Sequence, residues 1–391
     1  MDMKKYWLLC FMLVLLVGCT KEDVGYTDAD GDKYALTDGV SEGVNSGEQN
    51  EGQPGVITAG EWNDLSNWTF LDSLLQTKDY AGMNSYWSFY LNNRVSVRVT
   101  YNGTTPAVDE TVNLKLNGAT VWIAKTDNEG KAELWVDVFQ KNGSVNFSQY
   151  EIAVGDKTIS DVKKYSDGIN TVQLTSSKTA PTRAEIAFVV DATGSMSDEL
   201  EFLKTELLDV VSKAQTANPS VSIFTGSVFY RDEGDDYLTR VSDFSSDIDK
   251  TLNFIKAQRA DGGGDFPEAV HTALDKAVNN LQWSSQSRTR ILFLLLDAPP
   301  HYQPAVIADL QKHIKSAASK GIRIIPVTAS GIDKETEFLM RFMASVTNGT
   351  YVFITNDSGV GNDHLEPTVG AYQVELLNKL MLRLINKYLS I

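Results

Sequence analysis

The sequence contains little cysteine and fewer basic than acidic side chains, and both shortages exclude classes of protein. Two of the 391 residues are cysteines, too few for a fold held by several disulfides. Lysine and arginine number 35 against 51 aspartates and glutamates, which gives a net charge of -16. A chain of that sign repels phosphate, so we expect no nucleic-acid binding. Hydrophobic residues make up 42%, enough for a sizeable core and two or three domains.

The longest apolar run lies near the N-terminus. Residues 6–17 follow two lysines and are too few for a comfortable membrane span, but they are typical of the core of a signal peptide. The run closes on Leu-Val-Gly-Cys19, which resembles a bacterial lipobox, whose cysteine carries the lipid in the mature protein. We therefore expect residues 1–18 to be a lipoprotein signal peptide and Cys19 to be the lipid anchor.

The segment after Cys19 indicates a location and a tether. Thr-Lys-Glu-Asp23 resembles the export signal of Bacteroidetes surface lipoproteins, so we expect an outer-membrane lipoprotein at the cell surface. Residues 19–60 are rich in Gly, Asp, Glu, Ser and Asn without a helix or strand period, which is typical of a flexible tether. Because Cys10 leaves with the signal peptide, we expect no internal disulfide.

An aromatic segment and a segment of alternating apolar residues come next. We expect residues 61–90 to pack their aromatic side chains on the domain that follows, while a platform for a glycan stays an open alternative. Every second residue is apolar at Val95, Val97 and Val99, which predicts half-buried antiparallel strands. Residues 91–175 are therefore predicted to form a small all-β sandwich. Its Thr-Asp-Asn-Glu-Gly turn resembles the immunoglobulin-like or carboxypeptidase-regulatory-like modules of bacterial surface proteins.

Beyond a predicted linker at residues 176–182, apolar strands alternate with helical patterns. Residues 186–190 and 291–296 are continuous apolar runs. Strands that are apolar on both faces and alternate with helices predict a parallel sheet covered on both sides. We therefore expect an α/β fold for residues 183–391, with a doubly wound, mostly parallel, Rossmann-like sheet. In such sheets ligands bind beyond the carboxyl ends of the strands.

Two of these strands end on acidic residues. Asp191 follows one run, with Thr193 and Ser195 directly behind it, and Asp297 follows another. As pure structure, Ser195 caps the next helix together with Asp198, which leaves the other residues unexplained. Two carboxylates and two hydroxyls at one sheet edge make an all-oxygen site, which suits Mg2+, Mn2+ or Ca2+.

Taken together, these motifs resemble the von Willebrand factor type A family with its metal-ion-dependent adhesion site. The family's Asp-x-Ser-x-Ser appears as Asp191-Ala-Thr193-Gly-Ser195, and its distal aspartate as Asp297. Its middle loop appears as Gly-Gly-Gly-Asp265-Phe-Pro-Glu. The resemblance implies a divalent cation with an open position for a carboxylate of a protein partner. It therefore implies a lipid-anchored envelope protein that binds or adheres, without catalysis.

Two acidic positions have two interpretations each. The resemblance turns Asp265 toward the metal, where many family members have threonine, but Asp265 followed by proline and glutamate is also a helix-start signal. The acidic residues 232–236 are expected to form a solvated loop, with a calcium site as the alternative.

Other functions stay open as alternatives. A structural envelope protein would use the metal only for stability. A metal-dependent hydrolase or phosphotransferase is the other alternative, but Gly-x-Ser-x-Gly, His-Glu-x-x-His and the lysine of a phosphorylated Asp-Lys-Thr-Gly-Thr are all missing.

Overall fold

A computed structural model of the chain describes residues 54–141 and 143–391. The predicted signal peptide, the predicted lipid anchor at Cys19 and most of the predicted tether lie outside the described residues. The predicted fold class is confirmed, because a large, mostly parallel α/β sheet follows a strand-rich sandwich in the chain. Within the described residues, no helix is long and apolar enough to cross a membrane.

The described residues form strands and α-helices in the following chain order. The strands are β1 (Thr58–Trp62), β2 (Arg94–Tyr101), β3 (Thr105–Pro106), β4 (Thr111–Leu116), β5 (Ala119–Lys125), β6 (Lys131–Trp135), β7 (Tyr150–Val154), β8 (Lys157–Ile159), β9 (Asn170–Leu174), β10 (Arg183–Asp191), β11 (Ser222–Tyr230), β12 (Thr239–Ser245), β13 (Thr289–Leu296), β14 (Ile322–Thr328), β15 (Tyr351–Ile354) and β16 (Val374–Leu376). The helices are α1 (Trp68–Leu75), α2 (Lys78–Trp87), α3 (Ser197–Ala217), α4 (Ile248–Lys256), α5 (Val270–Asp275), α6 (Pro304–Lys320), α7 (Lys334–Val346) and α8 (Leu377–Leu389).

The large sheet has the strand order β12-β11-β10-β13-β14-β15-β1-β16. Its strands β10, β11, β13, β14 and β15 are parallel. The continuous apolar runs in β10 and β13 are typical of such strands, because helices cover both faces of the sheet and every position of β13 is buried. From β10 the chain passes to β11 on one side and later to β13 on the other. That reversal leaves a crevice at the carboxyl ends of β10 and β13, where open α/β sheets bind ligands.

Helices α3, α4 and α8 cover one face of this sheet, and α5, α6 and α7 cover the other. In α3, Leu200, Leu203, Leu207 and Val210 recur at helical spacing and all are buried. This apolar stripe fixes α3 against the sheet, so that its first turn lies directly behind the end of β10.

Strand β1 corrects the predicted extent of the tether. Residues 58–60 were expected to be tether, but they begin a strand that pairs antiparallel with both β15 and β16. The backbone N–H groups of Gly55, Val56 and Ile57 donate to the buried carboxylate of Glu206 at 2.9, 3.0 and 3.3 Å. Residues 58–62 form a strand because neighbours far along the chain supply the hydrogen bonds of their backbone.

The aromatic segment contacts more than the sandwich. Trp68 lies against Trp135 of the sandwich, with ring centroids 6.1 Å apart. Phe89, however, stacks on Phe342 of α7 at 4.2 Å, and Trp87 Nε1 donates to a backbone carbonyl at the start of α7. The segment therefore lies between the sandwich and the α/β domain.

The sandwich consists of two four-stranded sheets, one formed by β3, β2, β6 and β9 and the other by β5, β4, β7 and β8. It shares one continuous hydrophobic core with the α6 and α7 side of the large sheet. Asp109 in the sandwich forms a buried ion pair with Arg290 of β13, at 2.8 Å. The residues after β9 therefore connect two domains that pack on each other.

Candidate functional site

The first part of the site is the turn that follows β10. Asp191 is fully buried, and its Oδ1 accepts hydrogen bonds from the backbone N–H of Thr193 at 2.9 Å and from Thr193 Oγ1 at 2.6 Å. The side-chain hydroxyl oxygens of Thr193 and Ser195 lie 3.2 Å apart. Helix α3 begins at Ser197 without a side-chain cap, so the capping role predicted for Ser195 is wrong.

Strand β13 supplies the second carboxylate. Val190 of β10 pairs with Leu295 of β13. Asp191 is therefore level with Leu296, and Asp297 lies one residue further along, at the carboxyl edge of the sheet. Asp297 is 5% exposed. The carboxyl ends of β10 and β13, about a hundred residues apart in sequence, lie side by side because the two strands are parallel neighbours in the sheet.

Glu268 is a site residue that sequence reasoning missed. It is only 2% exposed, and its backbone N–H donates to the carbonyl of Pro299 at 2.8 Å, which fixes it beside the loop that carries Asp297. A short parallel bridge to Pro300 adds to this attachment. Glu268 is the last residue of the motif Gly-Gly-Gly-Asp-Phe-Pro-Glu. The sequence pattern indicates only a helix start for it, together with Asp265.

The glycine loop before Glu268 packs tightly against the turn after β10. The backbone N–H of Gly194 donates to the carbonyl of Gly262 at 3.1 Å, and a Cβ on Gly194 would come within 2.9 Å of that oxygen. Gly263 has a φ of +75°, and a Cβ there would lie 3.0 Å from Glu268 Oε1 and 3.4 Å from Thr193 Cβ. Glycine is therefore required for Glu268 and Thr193 to border the same small space.

The three buried carboxylates each retain an oxygen without a hydrogen-bond partner. These oxygens are Asp191 Oδ2, Asp297 Oδ1 and Glu268 Oε2. Arg231, which lies beside this turn, directs its guanidinium to the backbone carbonyls of Ala192 and Arg259 instead. Unpaired buried carboxylate oxygens are costly, which is typical of a site that receives a cation or a ligand.

Burial and mutual repulsion favour protonation of these carboxylates. Burial, more than any neighbour, raises the pKa of Asp191 to about 6. Burial, followed by the charge of Asp191, raises the pKa of Asp297 to about 7. Burial, followed by the charges of Asp191, Asp232 and Asp297, raises the pKa of Glu268 to about 9. Since the charge of Asp191 raises the pKa of both Asp297 and Glu268, the three carboxylates interact electrostatically.

The structure separates Asp265 from this group. Asp265 is exposed, and within the described residues its side chain makes no hydrogen bond to the Asp191, Thr193 and Ser195 turn. The helix after it begins only at Val270, with Ala269 as its N-cap, so the predicted capping role of Asp265 is also wrong. The loop residue that is buried beside the other carboxylates is Glu268, three positions further along.

The acidic loop 232–236 borders the same edge. Asp235 Oδ2 accepts hydrogen bonds from the backbone N–H groups of Asp232 and Gly263, at 3.1 and 2.9 Å. His301 Nε2 lies 2.7 Å from Asp232 Oδ1. The expectation of a solvated loop is therefore wrong for these two aspartates, which hold the glycine loop and the loop after β13 in place.

The donor set fits a hard divalent cation. Carboxylate and hydroxyl oxygens are the ligands that Mg2+, Mn2+ and Ca2+ prefer. Among the residues that the structure describes, no three Asp, Glu, His or Cys side chains lie close enough to hold an ion by themselves. The hydroxyls of Thr193 and Ser195 are therefore necessary members of any cation site at this edge.

Comparisons with known proteins agree with this architecture. Residues 185–359 match the family model described as von Willebrand factor A domain. The ariadne-like RING finger protein of Acanthamoeba polyphaga mimivirus is 39% identical over 119 residues, 30% of this chain and 11% of that protein. The alpha-protein kinase vwkA of Dictyostelium discoideum is 30% identical over 119 residues, 30% of this chain and 19% of that protein. The matches thus span less than a fifth of either relative.

Two solved structures also align with the chain. BatB from Bacteroides thetaiotaomicron is 18% identical, with a TM-score of 0.37, and the alignment covers 52% of this chain and 98% of BatB. An aerotolerance-related membrane protein from Bacteroides fragilis is 16% identical, with a TM-score of 0.35, and the alignment covers 53% of this chain and 98% of that protein.

Proposed function

We propose, on the premise that residues 185–359 form a von Willebrand factor A domain, that this domain captures a carboxylate of a protein partner through a divalent cation. Asp191, Thr193, Ser195 and Asp297 would hold the ion, which is Mg2+, Mn2+ or Ca2+. The ion supplies a positive charge and a coordination position to which an aspartate or glutamate of the partner binds. The protein is proposed to bind and adhere without catalysing a reaction.

The observation that carries the proposal is the set of unpartnered buried oxygens at the carboxyl edge. Asp191 Oδ2 and Asp297 Oδ1 accept no well-formed hydrogen bond, although both residues are almost fully buried; the hydroxyls of Tyr230 and Ser195 lie close enough to act to lower the pKa of Asp191 and of Asp297, respectively. A cation that accepts electron density from these oxygens removes their desolvation cost. The hydroxyls of Thr193 and Ser195 complete an oxygen site without adding charge, which leaves the ion able to attract a further anion.

The location of the protein is a separate part of the proposal. The lipobox-like sequence that ends at Cys19 supports a lipid anchor, and the acidic residues behind it support export to the surface of the outer membrane. The exposed Tyr86 and Tyr302, whose rings stack 3.7 Å apart, would be the place for a glycan contact in addition to the protein partner.

The experiment compares capture of envelope proteins by the immobilised soluble chain with Mg2+ and with chelator. Envelope extract in which carbodiimide and glycinamide have blocked the carboxylates serves as a second sample. We expect capture that needs both the ion and unblocked carboxylates. Asp297→Asn should abolish it, whereas Asp72→Asn, which changes an exposed acid of helix α1, is the matched control and should not.

Two outcomes would contradict the proposal. Capture that persists in chelator, or after the extract's carboxylates are blocked, would mean that the ion does not bridge to an acid. If Asp297→Asn unfolds the chain while wild-type protein captures nothing at any Mg2+ concentration, the metal has only a stabilising role, as in the structural alternative.

A further inference from the structure

We infer that a cavity between the sandwich and the α/β domain binds a small organic anion, a carboxylate or phosphate group carried on an apolar body. The cavity measures about 390 Å3, which lies in the range of small-molecule sites. Its walls come from strand β2, the turn between β5 and β6, the start of β14 and the end of α8. It is therefore separate from the carboxyl edge of the large sheet and independent of the proposed cation.

Hydrogen bonds between the two domains fix the walls of this cavity. Asn128 Nδ2, in the turn after β5, donates to the backbone carbonyls of Lys387 and Ser390 at 3.0 and 2.7 Å. Asp127 Oδ2, in the same turn, accepts a hydrogen bond from Asn348 Nδ2 behind α7 at 3.0 Å. Because the folded chain holds these walls in place, a ligand does not have to order them when it binds.

The charge of the lining is the first argument for an anion. Five cationic and three acidic side chains line the cavity, a surplus of two positive charges in a chain whose net charge is -16. The cations are Arg94, Arg98, Lys131, Arg323 and Lys387, and the acids are Asp127, Glu129 and Glu133. A positive surplus at one place on an acidic protein attracts anions that the rest of the surface repels.

The surplus lies at the rim of the cavity. Arg98 and Lys387 are exposed, and neither forms an ion pair with another residue that the structure describes. The hydrogen bond from Lys131 lowers the pKa of Glu129, and the charges of Lys387 and Arg98 act in the same direction. Three cations thus lie around one acid, which leaves positive charge for a ligand.

The second argument is an unpartnered donor in the wall. Arg323 is 6% exposed, and its Nε has no hydrogen-bond partner although it is buried. Its Nη1 donates to the backbone carbonyl of Asn348, its Nη2 lies 3.7 Å from Asp127 Oδ2, and its guanidinium lies 3.9 Å from the ring centroid of Tyr388. This arginine is therefore held in place with donor capacity to spare, which suits an oxyanion.

Apolar side chains define the rest of the ligand. Leu65 and Val97 are buried in the wall, and Ile169 is 51% exposed at the rim. An inorganic ion would leave this apolar surface without a contact, and an uncharged molecule would leave the cationic rim without one. An organic carboxylate or phosphate ester with an aromatic or aliphatic body contacts both.

The experiment measures binding of fluorinated probes to the soluble chain by fluorine NMR, at low salt and in chelator. The anionic probes are 4-fluorobenzoate and 4-fluorophenyl phosphate, and their comparison distinguishes a carboxylate site from a phosphate site. Uncharged 4-fluorobenzamide has nearly the shape of the benzoate and serves as the control. We expect the preferred anion to bind roughly tenfold more tightly than the amide, and added salt to remove most of this difference.

Variants test the place of binding. Arg98→Gln and Lys387→Gln each remove an exposed charge at the rim, and each should weaken the anion by up to about fivefold, as for a solvent-exposed charge pair. Neither should change binding of the amide. Lys250→Gln removes an exposed charge of helix α4 that does not line the cavity, and this matched control should bind every probe as wild type does. Ile169→Ser should weaken the anions and the amide alike. Near-ultraviolet circular dichroism checks that each variant is folded.

Three outcomes would overturn the inference. The first is that neither anion binds at low salt, and the second is that the amide binds as tightly as the anions. The third is an equal loss in Lys250→Gln and in Arg98→Gln, which would mean adsorption to positive charge anywhere on the surface. Because chelator removes any cation from the carboxyl edge, failure of this inference and failure of the proposed function are distinguishable.

Discussion

Asp191 makes a quantitative prediction about how the stability of the metal-free protein depends on pH. Burial raises the pKa of Asp191 from 3.8 to about 6, although the hydrogen bonds from Thr193 act to lower it. The folded protein therefore retains this proton at pH values at which the unfolded chain has released it, so stability falls as the pH rises. At about 1.4 kcal/mol per pH unit, the loss is about 3 kcal/mol between about pH 4 and about pH 6.

The variant that isolates this contribution is Asp191→Asn. Asparagine retains an oxygen for the hydrogen bonds from Thr193 but has no proton to lose. Free energies of unfolding would be measured by urea denaturation in chelator for both proteins, from about pH 4 to about pH 8. The advantage of wild type over the variant should shrink by about 3 kcal/mol between about pH 4 and about pH 6. Because the charge of Asp191 also raises the pKa of Asp297 and of Glu268, the difference between the two proteins includes the loss of this repulsion in the variant.

Saturating Mg2+ provides the second half of the test. The ion attracts the ionised carboxylate, so the decline with pH should disappear for wild type and the advantage over Asp191→Asn should grow instead. A difference between the two proteins that is independent of pH in chelator would refute the argument from burial. An effect that Mg2+ leaves unchanged would refute the location of the ion beside Asp191.

Two further predictions concern the anchor and the packing of the aromatic segment. Cys19→Ser should release the protein from the membrane fraction, and a variant that stays in the pellet after a high-salt wash would exclude the lipid anchor. Asp64→Ala removes the carboxylate that Arg341 contacts at 2.7 and 2.9 Å and leaves it only that of Glu337, at 3.3 Å, so the free energy of unfolding should fall by up to about 3–5 kcal/mol in urea denaturation. Adding Arg341→Met should restore much of this loss, and no recovery would mean that contacts other than the ion pair dominate.

Much of the fold and part of the site followed from local patterns in the sequence. Continuous apolar runs such as the one in β13 determined the parallel sheet, because a strand covered by helices on both sides tolerates no polar face. The sequence also predicted that Asp191, Thr193, Ser195 and Asp297 meet, since the carboxyl ends of parallel strands share one edge. For these elements, short runs of residues that are adjacent in the sequence are sufficient for the prediction.

The tertiary structure alone decided features that depend on distant parts of the chain. Strand β1 exists because two antiparallel neighbours, far away in sequence, satisfy its backbone, and Glu206 accepts hydrogen bonds from the residues directly before it. Glu268 is buried beside Asp297 because its loop bonds to the loop after β13, whereas Asp265 is left at the surface. Sequence spacing cannot tell these two acids apart, because which one is buried depends on how two loops approach each other. That approach is set by close backbone contacts at glycines and by packing across the whole sheet edge.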